Sequence, residues 1–156
     1  MRQVPVLLCA AFGLALSAGV AAAAPVADAC KLLSAAEVEG ATKVKVGVVA
    51  ADTKTSAQSA KCKYLHADKA FGTSIIASVA AILPEKVAAQ KTMYATLMKL
   101  TPVAGVGEFA YYNEAGGVLL AGSGTKAVQI QMLDGPPGAA RLEAIKTLAR
   151  TALAKL

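Results

Sequence analysis

The sequence TSIIASVAAIL occupies residues 73–83 and is followed at once by Pro84 and Glu85. Its run of β-branched and small apolar residues is typical of a well-buried strand. Proline suits the first turn of a helix, and glutamate suits the positive end of the helix dipole. The stretch therefore predicts a buried strand that leads directly into a helix, which apolar residues at helical spacing extend to about residue 100.

Upstream of this strand, a capping box and two alternating stretches predict a helix and two further strands. Ser34 and Glu37 have capping-box spacing, and Gly40 is a natural stop, so we expect a short helix between Ser34 and Gly40. Residues 43–48 and 61–64 alternate lysine with apolar residues, as half-buried strands do.

Downstream, glycine-containing turns separate three further strands, expected near residues 108–113, 117–122 and 126–133. An apolar stripe over 142–156 predicts a C-terminal helix. The resulting order is α-βββ-α-βββ-α. It predicts an α+β fold in which an antiparallel sheet is packed by helices on one face.

The N-terminus has the pattern of a secretory signal peptide. Arg2 is the only charge before a hydrophobic region and the small residues that end near Ala24. Cleavage between Ala23 and Ala24 would make residues 1–23 the signal peptide and 24–156 a single exported domain, periplasmic or secreted. The alternative is an uncleaved anchor, but the segment is weakly hydrophobic, so we expect no stable membrane anchor after cleavage.

The overall composition overstates the hydrophobicity of the predicted domain. The chain is 56% hydrophobic and 17% charged, but 36 of its residues are alanines. The low charge and the many Val, Leu and Ile residues argue against disorder.

Two cysteines are left once Cys9 departs with the signal peptide. An even number in an exported chain predicts a disulfide between Cys30 and Cys62. A redox pair or a metal site is the alternative, but redox pairs lie closer in sequence and zinc needs about four ligands.

Three short motifs carry a resemblance to a known group of proteins. They are DACKLLSAAEV at residues 28–38, CKY at 62–64 and GVGEFAY at 105–111. Together they resemble small exported bacterial proteins of unknown function, including actinobacterial-type lipoproteins with a C-x-L-L-[ST]-x-x-E start. The lipid-attachment cysteine of those lipoproteins is missing here, so membrane anchoring is not carried over. The resemblance implies an exported α+β domain with one disulfide and implies no activity.

Several residues are candidates for a site, and each has a simpler structural interpretation. Gly105 and Gly107 lack the third glycine of a dinucleotide loop, so we interpret them as a structural turn. Glu108 could be a functional carboxylate, although capping that turn is the simpler role. His66, the only imidazole, would have to serve any hydrolase chemistry.

A soft copper site is a second possibility for His66, with Met93, Met98 and Met132 as the other ligands. Methionines at helical spacing are more simply core residues. We therefore assign no catalytic residue, no metal and no cofactor from the sequence.

Four lysines form the candidate binding patch. If the two alternating strands pair, Lys43, Lys45, Lys61 and Lys63 stand on one face and could attract an anionic partner. The alternative is that they only keep an exposed sheet face soluble. Nucleic acid is not expected, because the chain lacks tryptophan and a stacking motif.

These features favour a non-enzymatic exported domain that binds an envelope component or a protein partner. A small-ligand carrier with a cavity between sheet and helices is the alternative. A hydrolase that uses His66 has less support.

Overall fold

A computed structural model describes residues 28–52, 59–68, 75–98 and 100–156. The predicted signal peptide lies outside the described residues. The described chain forms four α-helices and seven strands, with a 3-10 turn before α3 and a π-helical turn after it. Their bounds are α1 Ala29–Leu32, α2 Ala35–Thr42, β1 Val46–Ala51, β2 Ser59–His66, β3 Ile75–Ile82, the 3-10 turn Pro84–Lys86, α3 Val87–Thr92, the π turn Met93–Leu97, β4 Thr101–Pro102, β5 Phe109–Asn113, β6 Val118–Ser123, β7 Lys126–Met132 and α4 Gly138–Ala154.

The strands form one antiparallel sheet in the order β1-β2-β3-β7-β6-β5-β4. Each half is a meander, and β3 and β7 join the halves at the centre. The predicted α+β class with an antiparallel sheet is confirmed. The predicted element order also holds, except for the added short helix α1 and the two-residue strand β4.

Helices α1, α2 and α4 cover one face of the sheet, which we call the helix-covered face. Cys62, Tyr64, Val79 and Ile130 lie next to one another across β2, β3 and β7 on this face, and each is 0% exposed. Helix α4 packs on them through its apolar stripe, as its sequence period predicts.

The expectation that all helices share this face is wrong for α3. Val87 and Tyr94 pack against Ile82, Leu120 and other residues that point to the opposite face. The Tyr94 hydroxyl donates to Gln129 Oε1 at 2.8 Å and ties the π turn to β7. Helix α3 therefore makes a second, smaller core.

The segment between α2 and β1 differs from its prediction. Helix α2 begins with the predicted capping box at Ser34 and Glu37, which is confirmed, but it runs past Gly40. It ends at Lys43, which adopts a left-handed conformation with φ 62°. The Thr42 hydroxyl donates to the Val38 carbonyl and accepts from the Val44 N–H, so it stabilises this ending.

Because the helix continues to Thr42, the first strand starts at Val46 rather than at residue 43. The predicted helix over 84–100 likewise ends at Leu97, and Thr101 and Pro102 pair with β5. Within the described ranges, no helix is long and apolar enough to span a membrane.

Candidate functional site

The predicted disulfide is confirmed and holds α1 against β2. Cys30 and Cys62 are bonded, with their Cα atoms 5.0 Å apart. Beside the bridge, the Tyr64 hydroxyl donates to the Leu33 carbonyl at 2.7 Å. Burial raises the pKa of Tyr64 to about 12. The bridge and this hydrogen bond fix the N-terminal segment on the sheet.

Only two of the four candidate lysines lie on a strand, so the predicted placement of Lys43 and Lys45 on a strand paired with β2 is wrong. Lys43 and Lys45 precede β1, whereas Lys61 and Lys63 lie within β2. Lys43 ends α2 and lines a shallow groove beside that helix. The reason is that α2 runs to Thr42, so residues 43–45 form its cap and the turn into β1 rather than the start of a strand.

Two of these lysines make ion pairs within the chain. Lys45 Nζ lies 3.3 Å from Glu39 Oε2, and Lys63 Nζ lies 2.8 Å from Asp52 Oδ2. Part of the positive charge assigned to the patch is therefore balanced internally. The two pairs lie at opposite ends of β1.

Strand β1 is an edge strand with an exposed apolar surface. Its six residues, Val46–Ala51, carry no charge. Val48 is 50% exposed and Val49 is 41% exposed, and both are among the few large exposed apolar side chains. On the side away from β2, no strand of the described chain pairs with it. An apolar edge of this length is an open template for another strand.

The backbone groups on this outer edge follow from the pairing with β2. The Asp52 N–H donates to the Lys61 carbonyl at 2.8 Å, so the backbone of Asp52 faces β2. Backbone groups of an antiparallel strand alternate in direction. The N–H and C=O groups of Val49 and Ala51 therefore point away from the sheet.

Glu39 covers only the beginning of this edge. Its Oε1 accepts the Val46 N–H at 2.9 Å, and its other oxygen faces Lys45. The Val46 N–H, followed by Lys45, holds the pKa of Glu39 below its usual value. Beyond this contact, no strand of the described chain covers the outer side of β1.

A bulge at Gly47 shapes the same edge. The pairing of β1 with β2 shifts by one residue between Val46 and Val48, so Gly47 is the extra residue. A Cβ atom at Gly47 would lie 2.6 Å from the Ala67 Cα, a distance that no side chain tolerates. Glycine is therefore required at this position of the bulge.

The opposite edge of the sheet is closed to strand addition. It is formed by β4, which has only two residues, one of them Pro102. Proline lacks the N–H that a ladder needs, and such a short strand offers few backbone groups. Among the described strands, the sheet thus has one edge open to strand addition, at β1.

His66 lies near one end of this region but in a contact of a different kind. Its side chain is 10% exposed, and Nε2 lies 2.8 Å from Asp134 Oδ2. Although these two atoms are close, their geometry is not that of a hydrogen bond. None of the hydrogen bonds between described residues joins His66 to a hydroxyl group.

The methionines of the candidate copper site are not brought together. Met132 is buried under the helix-covered face, whereas Met93 packs with α3 on the other side of the sheet. In the described ranges, no three His, Cys, Asp or Glu side chains form a metal-binding group. The geometry gives the copper hypothesis no support.

Gly105 and Gly107 shape the turn before β5. Both have positive φ values, +86° and +61°, and a Cβ at Gly107 would lie 2.3 Å from the Gly122 carbonyl oxygen. The carboxylate of Glu108 accepts from the Gly124 N–H and the Ser123 hydroxyl. These bonds, the backbone bond first, lower the pKa of Glu108. The carboxylate therefore clamps the β6–β7 turn.

An open surface groove of about 450 Å³ lies between α2 and α4, with Gly40 and Thr147 on its walls. The layer between the sheet and α1, α2 and α4 is instead filled by buried side chains. A ligand cavity in that layer gains no support from this packing.

No protein-family model matches this chain, and no curated protein is significantly similar to it in sequence. The site therefore rests on its own geometry. The sequence did not reveal that β1 is an edge strand, because the order of strands in a sheet is set by pairings between distant residues. The one signal for it in the sequence was the uncharged segment VGVVAA between Lys45 and Asp52.

Proposed function

We propose that this chain is a non-enzymatic exported domain that binds a partner protein by adding one of the partner's strands to β1. The observation that carries the proposal is the open edge itself. On this edge, the backbone N–H and C=O groups of Val49 and Ala51 point outward, and two valine side chains are exposed. The opposite edge is closed by Pro102.

Export is supported by two independent features of the chain. The first 23 residues have the order of charge, apolar region and small residues that signal peptides share. The oxidised Cys30–Cys62 pair fits an oxidising compartment, since cytosolic thiols are mostly kept reduced.

Strand addition uses the chemistry that this edge offers. The outward N–H and C=O groups would form main-chain hydrogen bonds with an extended segment, which give affinity. Val48 and Val49 point to opposite faces of the sheet, so each can contact a side chain of the added strand. The partner we expect is a protein segment with alternating apolar residues.

The experiment places a photo-crosslinking amino acid at Val48 and irradiates cells that export the protein. The matched control carries the same amino acid at Leu97, which is 80% exposed and lies on α3's π turn, away from the edge. We expect protein adducts from position 48, recovered by intact mass, and few from position 97.

A blocking variant shows whether the edge makes the contact. Val49→Pro removes an N–H that points outward, so no β1–β2 hydrogen bond is lost, and proline is tolerated at such edge positions. We expect the Val48 adducts to disappear in this variant. Adducts that persist unchanged, or equal adducts from both positions, would contradict the proposal.

A further inference from the structure

We infer that the strand added to β1 is β1 of a second copy of this chain, in antiparallel orientation. The inference rests on the proposed function, because it names the occupant of the same edge. It is carried by the charges at the two ends of the strand.

These charges make the edge complementary to itself. Lys45 precedes β1 and Asp52 follows it, with six uncharged residues between them. An antiparallel second copy places the basic end of one strand beside the acidic end of the other. A parallel copy would instead place like charges together, which destabilises a pair of strands.

The register makes this complementarity specific. A two-fold axis can place Val49 opposite Val49 of the second copy, so that their outward N–H and C=O groups bond to each other. Counted from that point, with Gly47 as the extra residue of the bulge, Lys45 falls opposite Asp52 of the second copy. Symmetry repeats the pair at the other end. Directly opposite residues point to the same face, so each lysine can reach its carboxylate.

The internal ion pairs do not oppose this arrangement. Lys45 is 77% exposed at its side chain and lies 3.3 Å from Glu39, so it can bridge two carboxylates. Asp52 already holds Lys63 at 2.8 Å, and a carboxylate has acceptor sites for more than one cation. These ion pairs can be kept in the dimer, whereas Glu39 must release the Val46 N–H, which lies opposite Ala51 of the second copy.

The closed opposite edge determines what kind of assembly results. With Pro102 on the last strand, β1 cannot pair with the other edge of a neighbouring copy. Of the two sheet edges in the described chain, this leaves β1-to-β1 pairing, which uses the same surface on both copies. Such an interface closes as a dimer instead of growing into a filament.

The dimer is expected to be weak. Two six-residue strands bury less surface than the roughly 1,200 Å² of the smallest stable interfaces. We therefore expect the dimer fraction to rise between about 10 µM and 1 mM protein, and to fall when added salt screens the end charges.

Analytical ultracentrifugation of the mature domain tests the inference through a charge swap. Lys45→Asp sets two acidic groups opposite each other, and Asp52→Lys sets two basic groups opposite each other. Each variant alone should dimerise about tenfold more weakly than the wild type. An equimolar mixture restores both opposite-charge pairs, so it should form a mixed dimer within about twofold of wild-type affinity.

Controls separate this effect from lost stability or altered net charge. Lys126→Asp changes the charge by the same amount as Lys45→Asp, at the exposed first residue of β7, three strands away from β1, and should dimerise as the wild type does. The fall of the wild-type dimer fraction with added salt is a further control, because it tests the end charges without any substitution. Circular dichroism verifies that each swapped variant is folded before it is mixed.

The inference is overturned if the wild type stays monomeric up to 1 mM, or if the mixture dimerises no better than its components. A monomeric protein that still crosslinks to a different protein at Val48 would overturn the second copy as occupant and leave the proposed function standing. Loss of all adducts at Val48 would overturn both.

Discussion

Removing the Cys30–Cys62 bridge should cost a large part of the domain's stability. The bridge links residues that lie 32 positions apart in the sequence. By restricting the unfolded chain, it is expected to raise the free energy of unfolding by about 3.5–4 kcal/mol. Typical domains are stable by about 5–15 kcal/mol. The double variant Cys30→Ala/Cys62→Ala should therefore remain folded at 25 °C only narrowly.

Urea unfolding followed by circular dichroism measures this loss. At the size of this domain, a loss of that order corresponds to a Tm lower by roughly 10–15 °C. Reduced wild-type protein should unfold at the same midpoint as the double variant, because both lack only the bridge. A free energy of unfolding within about 0.5 kcal/mol of that of the oxidised wild type would refute the entropic argument.

Three smaller perturbations test local features of the structure. Lys43→Gly should stabilise the domain by about 0.5–1 kcal/mol in urea unfolding by relieving the left-handed conformation, whereas Lys43→Ala should bring no gain. The Ser34 N–H, and after it Lys155, lowers the pKa of Glu37 in the folded state. The stability that Glu37 contributes is therefore present above its unfolded pKa of 4.5 and is lost as the pH falls through the lower folded pKa. Glu37→Gln should remove that part of the acid sensitivity in unfolding curves recorded at a series of pH values. Tyr64→Phe should cost about 1–2 kcal/mol through its lost backbone hydrogen bond, and Tyr111→Phe, on a partly exposed ring, should cost less in the same assay.

Features set by near neighbours in the chain could be predicted from the sequence. Ser34 and Glu37 are three residues apart, and the capping box forms as their spacing predicts. The cysteine count predicted the disulfide, and alternation located β2. These signals need no knowledge of the rest of the fold.

Features set by distant contacts could not be predicted in this way. Lys43 gives no sign of a left-handed conformation, because it follows from how α2 must turn to reach β1. The contact of Glu39 with the Val46 N–H depends on the same turn. The edge position of β1 depends on β7 joining β3 in the centre of the sheet, a pairing between residues about fifty positions apart.

Amide hydrogen exchange of β1 tests most directly whether its outer edge is a docking surface. In dilute monomer, the Val49 and Ala51 amides should exchange quickly, while the Val48 and Ala50 amides, which face β2, should be protected. At concentrations where the dimer forms, Val49 and Ala51 should become protected as well. Equal protection of all four amides in the dilute monomer, or exchange at Val49 and Ala51 that does not slow in the dimer, would contradict this account.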